Sequence, residues 1–286
     1  MSSIIGVGLP VLIILAMTIV GLELTPADLA RVWHYPVHVA VTVLAQILVL
    51  PLIAVGLILL LHAEPDVAAG LILAAAAPQA LSSNYLCLLA RADIALSVTL
   101  TAVSSAVAVV STPLVAGVGF GLLLEQQVGL ALPAGKVMQQ IVTGLLLPIA
   151  AGMLVRRYAP GFVERNRTRF QRASLIAIGA MVVILLVDQA GTILRNLTTI
   201  VFAAVFFTAG AAALGFGLAR AFSWNREDTV TMVAAFPSRS LSIATLIALN
   251  VLGRPDFLSF VVIFFLVQSL LLVPTMLLSR SAGLRK

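Results

Sequence analysis

The stretch VAAFPSRSLSIATLIAL, residues 233–249, has the apolar content of a membrane helix, yet Pro237 and Arg239 interrupt it. Proline removes a helical N–H and its ring clashes with the carbonyl four residues back. Arginine at mid-membrane costs roughly 2.5–3.5 kcal/mol on insertion scales. Unwound backbone in hydrocarbon survives only where protein, water or ligand satisfies it. The pair therefore points to a helix broken beside a cavity.

The rest of the chain supports a membrane setting. The mean hydropathy is +1.15, 61% of residues are hydrophobic and only 10% are charged, which excludes an ordinary soluble domain. Apolar stretches long enough to cross a bilayer recur throughout. They predict an all-α polytopic protein of about nine spans, at 3–23, 37–61, 67–90, 94–122, 137–156, 173–195, 199–221, 229–251 and 257–279. The opening stretch has no basic n-region or small-residue cleavage site, so it is expected to be a retained span rather than a signal peptide. The single cysteine, Cys87, excludes an intramolecular disulfide and a CxxC motif.

The net charge of +6 could suggest nucleic acid, but the distribution points to a membrane instead. The densest basic stretch, RRYAPGFVERNRTRFQR at 156–172, falls between two spans and reads as a cytoplasmic loop. Fixing it inside places Arg31, Arg91, the six loop arginines, Arg220, Arg226, Arg280, Arg285 and Lys286 on the same side. Only Lys136, Arg195 and Arg254 fall opposite, so the N-terminus is expected outside and the C-terminus in the cytoplasm of a cell inner or plasma membrane.

A second stretch resembles the first. AAAAPQALSSNYLCLLARADIALS, residues 74–97, continues to Pro113, while the copy at 233–259 continues to Pro274. Each has a proline in an apolar segment, a polar cluster, an Arg-x-Asp turn, Leu-Ser and a second proline. The charge count puts the two Arg-x-Asp turns on opposite sides. Such inverted repeats with paired interrupted spans belong to secondary transporters, whose binding sites lie at the interruptions. The first repeat is expected over 1–123, broken near 78–84, and the second over 136–280, broken near 236–240. Freed half-helix N-termini suit an anion, and freed carbonyls and hydroxyls suit a small cation. Ser82, Ser83 and Asn84 follow one proline; Ser238, Arg239 and Ser240 follow the other.

The segments GLELTPADLARVWHYP (21–36), LAQILVLPL (44–52), 82–114 and LLLPIAAGMLVRR (145–157) resemble the bile acid:sodium symporter family. The resemblance implies a core domain with two crossing broken helices and a panel domain, here in a 4+5 arrangement. It implies a first sodium site at Ser83, Asn84, Ser97 and Thr101, and a second-site ligand at Gln46. The bland reading of these hydroxyls is helix packing and back-bonding. Sodium-coupled members carry a glutamate and a glutamine where Val233 and Pro237 stand, and an asparagine at Ser238. No acidic residue lies between Asp228 and Asp256, so the shared carboxylate is missing and Arg239 is gained. Related arsenite exporters carry a cysteine where Gln79 stands, which counts against that substrate.

These readings converge on a secondary-active transporter of a small organic anion, a carboxylate or sulfonate. The candidate substrate-binding residues are Leu81, Ser82, Ser238, Arg239 and Gln268, the last standing where the family has a substrate-side histidine. Arg239 is expected either to replace a cation near Ser83, Asn84, Ser97 or Thr101, or to grip a substrate carboxylate. The structural alternative pairs it with Asp188, the one acid expected well inside another span. A sodium-coupled symporter using the remnant site is the alternative function. No span offers a nucleophile–base pair or metal-ligand set for an intramembrane enzyme. No cofactor beyond sodium and no nucleic-acid partner is expected; the partners are the anion and the bilayer. Glu23 and Asp28 read as solvated caps bordering the first loop.

Overall fold

The computed structural model describes residues 8–25, 31–124 and 133–283. Asp28, and the terminal charges Arg285 and Lys286 used in the charge count, lie outside them, as do the first residues of the opening span. The described residues are mainly helical, with no strand longer than a single bridge among them. In chain order the helices are α1 (Leu9–Glu23), α2 (Pro36–Leu61), α3 (Pro65–Ala76), α4 (Ser82–Ala90), α5 (Ile94–Leu123) and α6 (Ala134–Tyr158). They continue as α7 (Pro160–Asp188), α8 (Ala190–Ala221), α9 (Arg226–Ala235), α10 (Leu241–Val251) and α11 (Leu258–Gly283).

By length and composition α2, α5, α6, α7, α8 and the helix ending the chain can cross a membrane, six among the described residues. Two of the expected spans, 67–90 and 229–251, are instead pairs of half-helices. Ahead of Pro78 the break follows from proline chemistry. The residue before a proline is pushed out of the helical region, and Ala77 is extended at φ −64°, ψ 148°. The second break is built differently. The helix ends at Ala235, but Phe236 before Pro237 keeps helical angles, so the chain is not forced extended ahead of the proline. Ser240 then caps α10, its Oγ accepting from the Ile243 N–H at 3.4 Å.

The breaks meet. Gln79 and Arg239 form an isolated antiparallel bridge: the Ala80 N–H donates to the Ser238 carbonyl and the Ser240 N–H to the Pro78 carbonyl, both at 2.9 Å. These two bonds satisfy backbone groups that neither half-helix can satisfy internally. Around the bridge, α2, α5, α8 and α11 pack on the half-helices, whereas α1, α6 and α7 form a second group. Gly215 lets α8 approach α9 so closely that a Cβ there would lie 2.6 Å from the Met232 carbonyl oxygen.

Two sequence expectations need correction. The basic stretch 156–172 is not a loop: α6 runs to Tyr158 and α7 starts at Pro160, so most of its arginines project from a helix. Their spacing over three turns already allows this, and Arg156 donates to the Leu22 carbonyl at 2.7 Å at the C-terminal end of α1. Asp188 is not inside a span either. It ends α7, where Gln189 donates to its carboxylate at 2.6 Å, and it does not pair with Arg239.

Candidate functional site

At the C-terminal end of α3 the carbonyls of Ala75, Ala76 and the C-cap Ala77 are among those with no partner within the helix. Side chains from two distant segments take them. Thr112 Oγ1 donates to Ala76 at 2.9 Å, and Arg239 Nη2 donates to Ala77 and, at 3.4 Å, to Ala75. A cation at the negative end of a helix dipole is favourably placed. Arg239 is only 4% exposed, and its Nε and Nη1 have no partner among the described residues. The guanidinium is thus satisfied on one edge and unsatisfied on the other, a costly state for a buried charge.

A cavity of about 140 Å³ lies against that arginine, between the two helix groups. One wall is the crossing: Gln79 to Ser82, Arg239 to Ser242, and Thr101 and Ser105 of α5. The opposite wall is Met17 and Val20 of α1, Leu145 and Ile149 of α6, and Ser174 and Ile178 of α7. Arg239 is the only charged residue in the lining among the described residues. Both α4 and α10 begin at the cavity, so the positive ends of two half-helices border the same space as Arg239. Ser82 Oγ, in the first turn of α4, has no partner. The cavity thus combines one cation, two half-helix N-termini and mostly apolar walls, a setting that can hold an anion.

Of the expected substrate residues, Leu81, Ser82 and Arg239 line this cavity. Ser238 does not; its Oγ donates back to the Ala234 carbonyl at 2.7 Å. Gln268 is buried away from the lining. Ser240, which follows the second proline, does line the cavity, whereas Ser105 and Ser174 are wall residues that no sequence pattern marks, being isolated serines on apolar helices.

Ser83, Asn84, Ser97 and Thr101 do come together. Ser97 Oγ donates to Asn84 Oδ1 at 2.7 Å and lies 3.2 Å from Ser83 Oγ, while Thr101 Oγ1 donates to the Ser97 carbonyl at 2.9 Å. Arg239 forms no hydrogen bond with any of them, which corrects the expectation that its guanidinium would sit there. The physical reason is the free C-terminal end of α3, a stronger attractor for a cation than neutral hydroxyls. Gln79 enters the cluster instead: its Nε2 donates to Ser83 Oγ at 2.9 Å and Thr101 Oγ1 at 3.2 Å. Gln46 joins from behind, donating to Gln79 Oε1 at 3.3 Å and accepting from Ser104 Oγ at 3.3 Å. With no carboxylate in the group and an amide directed into its oxygens, these residues do not fit a bound sodium ion as they stand.

The sequence model of the sodium bile acid symporter family matches residues 10–196, about two thirds of the chain. The chain belongs to that family. Among its curated relatives, the uncharacterized sodium-dependent transporter YocS of Bacillus subtilis is 32% identical over 162 residues, 57% of this chain and 49% of its own length. A probable chloroplastic sodium/metabolite cotransporter of rice, BASS2, is 34% identical over 150 residues, 52% of this chain and 34% of its own. A third, BASS3 of Arabidopsis thaliana, is 26% identical over 243 residues, 83% of this chain and 54% of its own. The chain thus spans about half the length of these relatives or less. The family match ends before α9, so Arg239 lies outside it.

Proposed function

We propose that the protein is a secondary-active transporter that moves a small organic anion, a carboxylate or sulfonate, without requiring sodium. The observation that carries this reading is Arg239, half of its guanidinium unsatisfied, as the sole charged residue among the described residues lining a cavity between two groups of helices. A carboxylate or sulfonate head would supply the acceptors that Nε and Nη1 lack, in the planar geometry arginine favours. The apolar far wall would hold the rest of the solute.

In this reading α1, α6 and α7 are the panel, and the remaining helices are the core. The crossing rocks against the panel to expose the cavity to either side in turn. The chain then makes nine spans in a 4+5 inverted repeat, with its N-terminus outside the cell inner or plasma membrane and its C-terminus in the cytoplasm.

The second reading is a sodium-coupled symporter working through Ser83, Asn84, Ser97, Thr101 and Gln46. The names of the relatives favour it; the missing carboxylate and the amide of Gln79 oppose it. A thermal-shift screen of carboxylates and sulfonates on purified protein tests the proposal. Stabilisation of the wild type that disappears in Arg239→Gln supports it, and stabilisation that persists in the variant rejects it.

A further inference from the structure

We propose that the carboxamide of Gln79 is a built-in occupant of the oxygen cluster formed by Ser83, Asn84, Ser97 and Thr101, holding the crossing together where a monovalent cation would otherwise be needed. The idea deepens the sodium-free reading above and rests on it, supplying its structural cause.

A hard cation binds where several oxygen lone pairs converge. Here the lone pairs of Ser83 Oγ and Thr101 Oγ1 are already directed at the two protons of Gln79 Nε2. The amide is held in place at every polar position. Its Oε1 accepts from Gln46, its backbone N–H donates to Ser104 Oγ at 2.9 Å, and its main chain is half of the bridge with Arg239. One residue therefore ties the first break to α2, α4, α5 and the second break. Gln79, Gln46, Ser83 and Thr101 are all buried, so water does not compete for these bonds. A bound cation would tie the same segments by drawing the same oxygens inward. Once Gln79 does so, two of the four oxygens already face the positive edge of an amide, and a cation adds little to the crossing. Arg239 adds a second obstacle, since a fixed positive charge beside the bridge repels another.

The test reads cation binding rather than transport, so it can fail separately from the transport proposal. The purified full chain is melted in matched sodium and potassium chloride as wild type, Arg239→Gln and the double variant Gln79→Glu/Arg239→Gln. The double variant places a carboxylate among the four oxygens and removes the internal cation that would neutralise it. Wild type and Arg239→Gln are expected to melt at the same temperature in both salts, and the double variant about 3 °C or more higher in sodium. A sodium-specific rise in the wild type, or a folded double variant indifferent to the salt, overturns the proposal. Should the double variant fail to fold, Gln79→Ser is compared with wild type for binding of isotopic sodium. Binding gained in the variant supports the proposal, and equal binding overturns it.

Discussion

Gln79 and Arg239 face each other as an antiparallel bridge, yet their side chains serve opposite sides of the crossing. Gln79 turns into the hydroxyl cluster of α4 and α5, and Arg239 turns onto the carbonyls that end α3. The bridge thereby fixes a neutral donor in one place and a positive charge in another, with the cavity between the helix groups touching both.

The first consequence concerns Arg239. Arg239→Ala removes the only charge in the cavity lining among the described residues, and truncating one partner of a buried charged pair costs roughly 2–5 kcal/mol, so anion affinity should fall at least about tenfold. Insertion should be unaffected, because a membrane segment without the charge inserts more readily. Arg239→Lys should recover little, since an ammonium reaching the Ala77 carbonyl has no fork left for a carboxylate. Uptake and membrane yield measured on both variants check this; normal uptake by Arg239→Ala would make it a purely structural arginine.

Thr112 provides a contrast, because it caps the same half-helix without touching the cavity. Thr112→Val keeps the shape and leaves the Ala76 carbonyl unpaired, which costs roughly 1–3 kcal/mol. The melting temperature should drop while the affinity for a bound anion, measured below that temperature, stays the same. An altered affinity with unchanged stability would contradict the assignment.

Gly215 tests the packing behind the second break. A Cβ at this position meets the backbone of Met232 rather than a flexible side chain, so the helices must separate. Overpacking of this kind costs typically about 1–3 kcal/mol. Gly215→Val is expected to melt earlier, and Gly217→Val, where a Cβ meets nothing within 4 Å, to behave as wild type. Equal melting of the two would show that α8 does not press on α9 as described.

Much of this site was legible in the sequence. Pro78 and Pro237 located both breaks to within a few residues, because a missing N–H and a ring clash act locally whatever the tertiary context. The grouping of Ser83 and Asn84 with Ser97 and Thr101 was also readable, through the family resemblance of residues 82–114. The position of the Arg239 guanidinium was not. Its destination depends on which helix end the crossing brings within reach, and no local pattern encodes a contact with Ala75 and Ala77, more than 160 residues away. Gln79 was overlooked as a member of the cluster for a related reason. It sits on the break itself, and its aim is set by the bridge rather than by helical spacing. Asp188 was misplaced because an apolar run continuing beyond it hides a helix end that only the turn at Gln189 reveals.

Whether the anion moves without sodium decides between the two readings of the site. The direct measurement is the initial rate of uptake of a labelled anion, chosen from the thermal-shift screen, into liposomes holding the purified protein, with sodium or potassium as the only external cation. Equal rates in the two salts, abolished by Arg239→Ala, are the predicted result. A steep rise of uptake with sodium concentration would contradict it and establish the oxygen cluster around Ser83 as a working cation site.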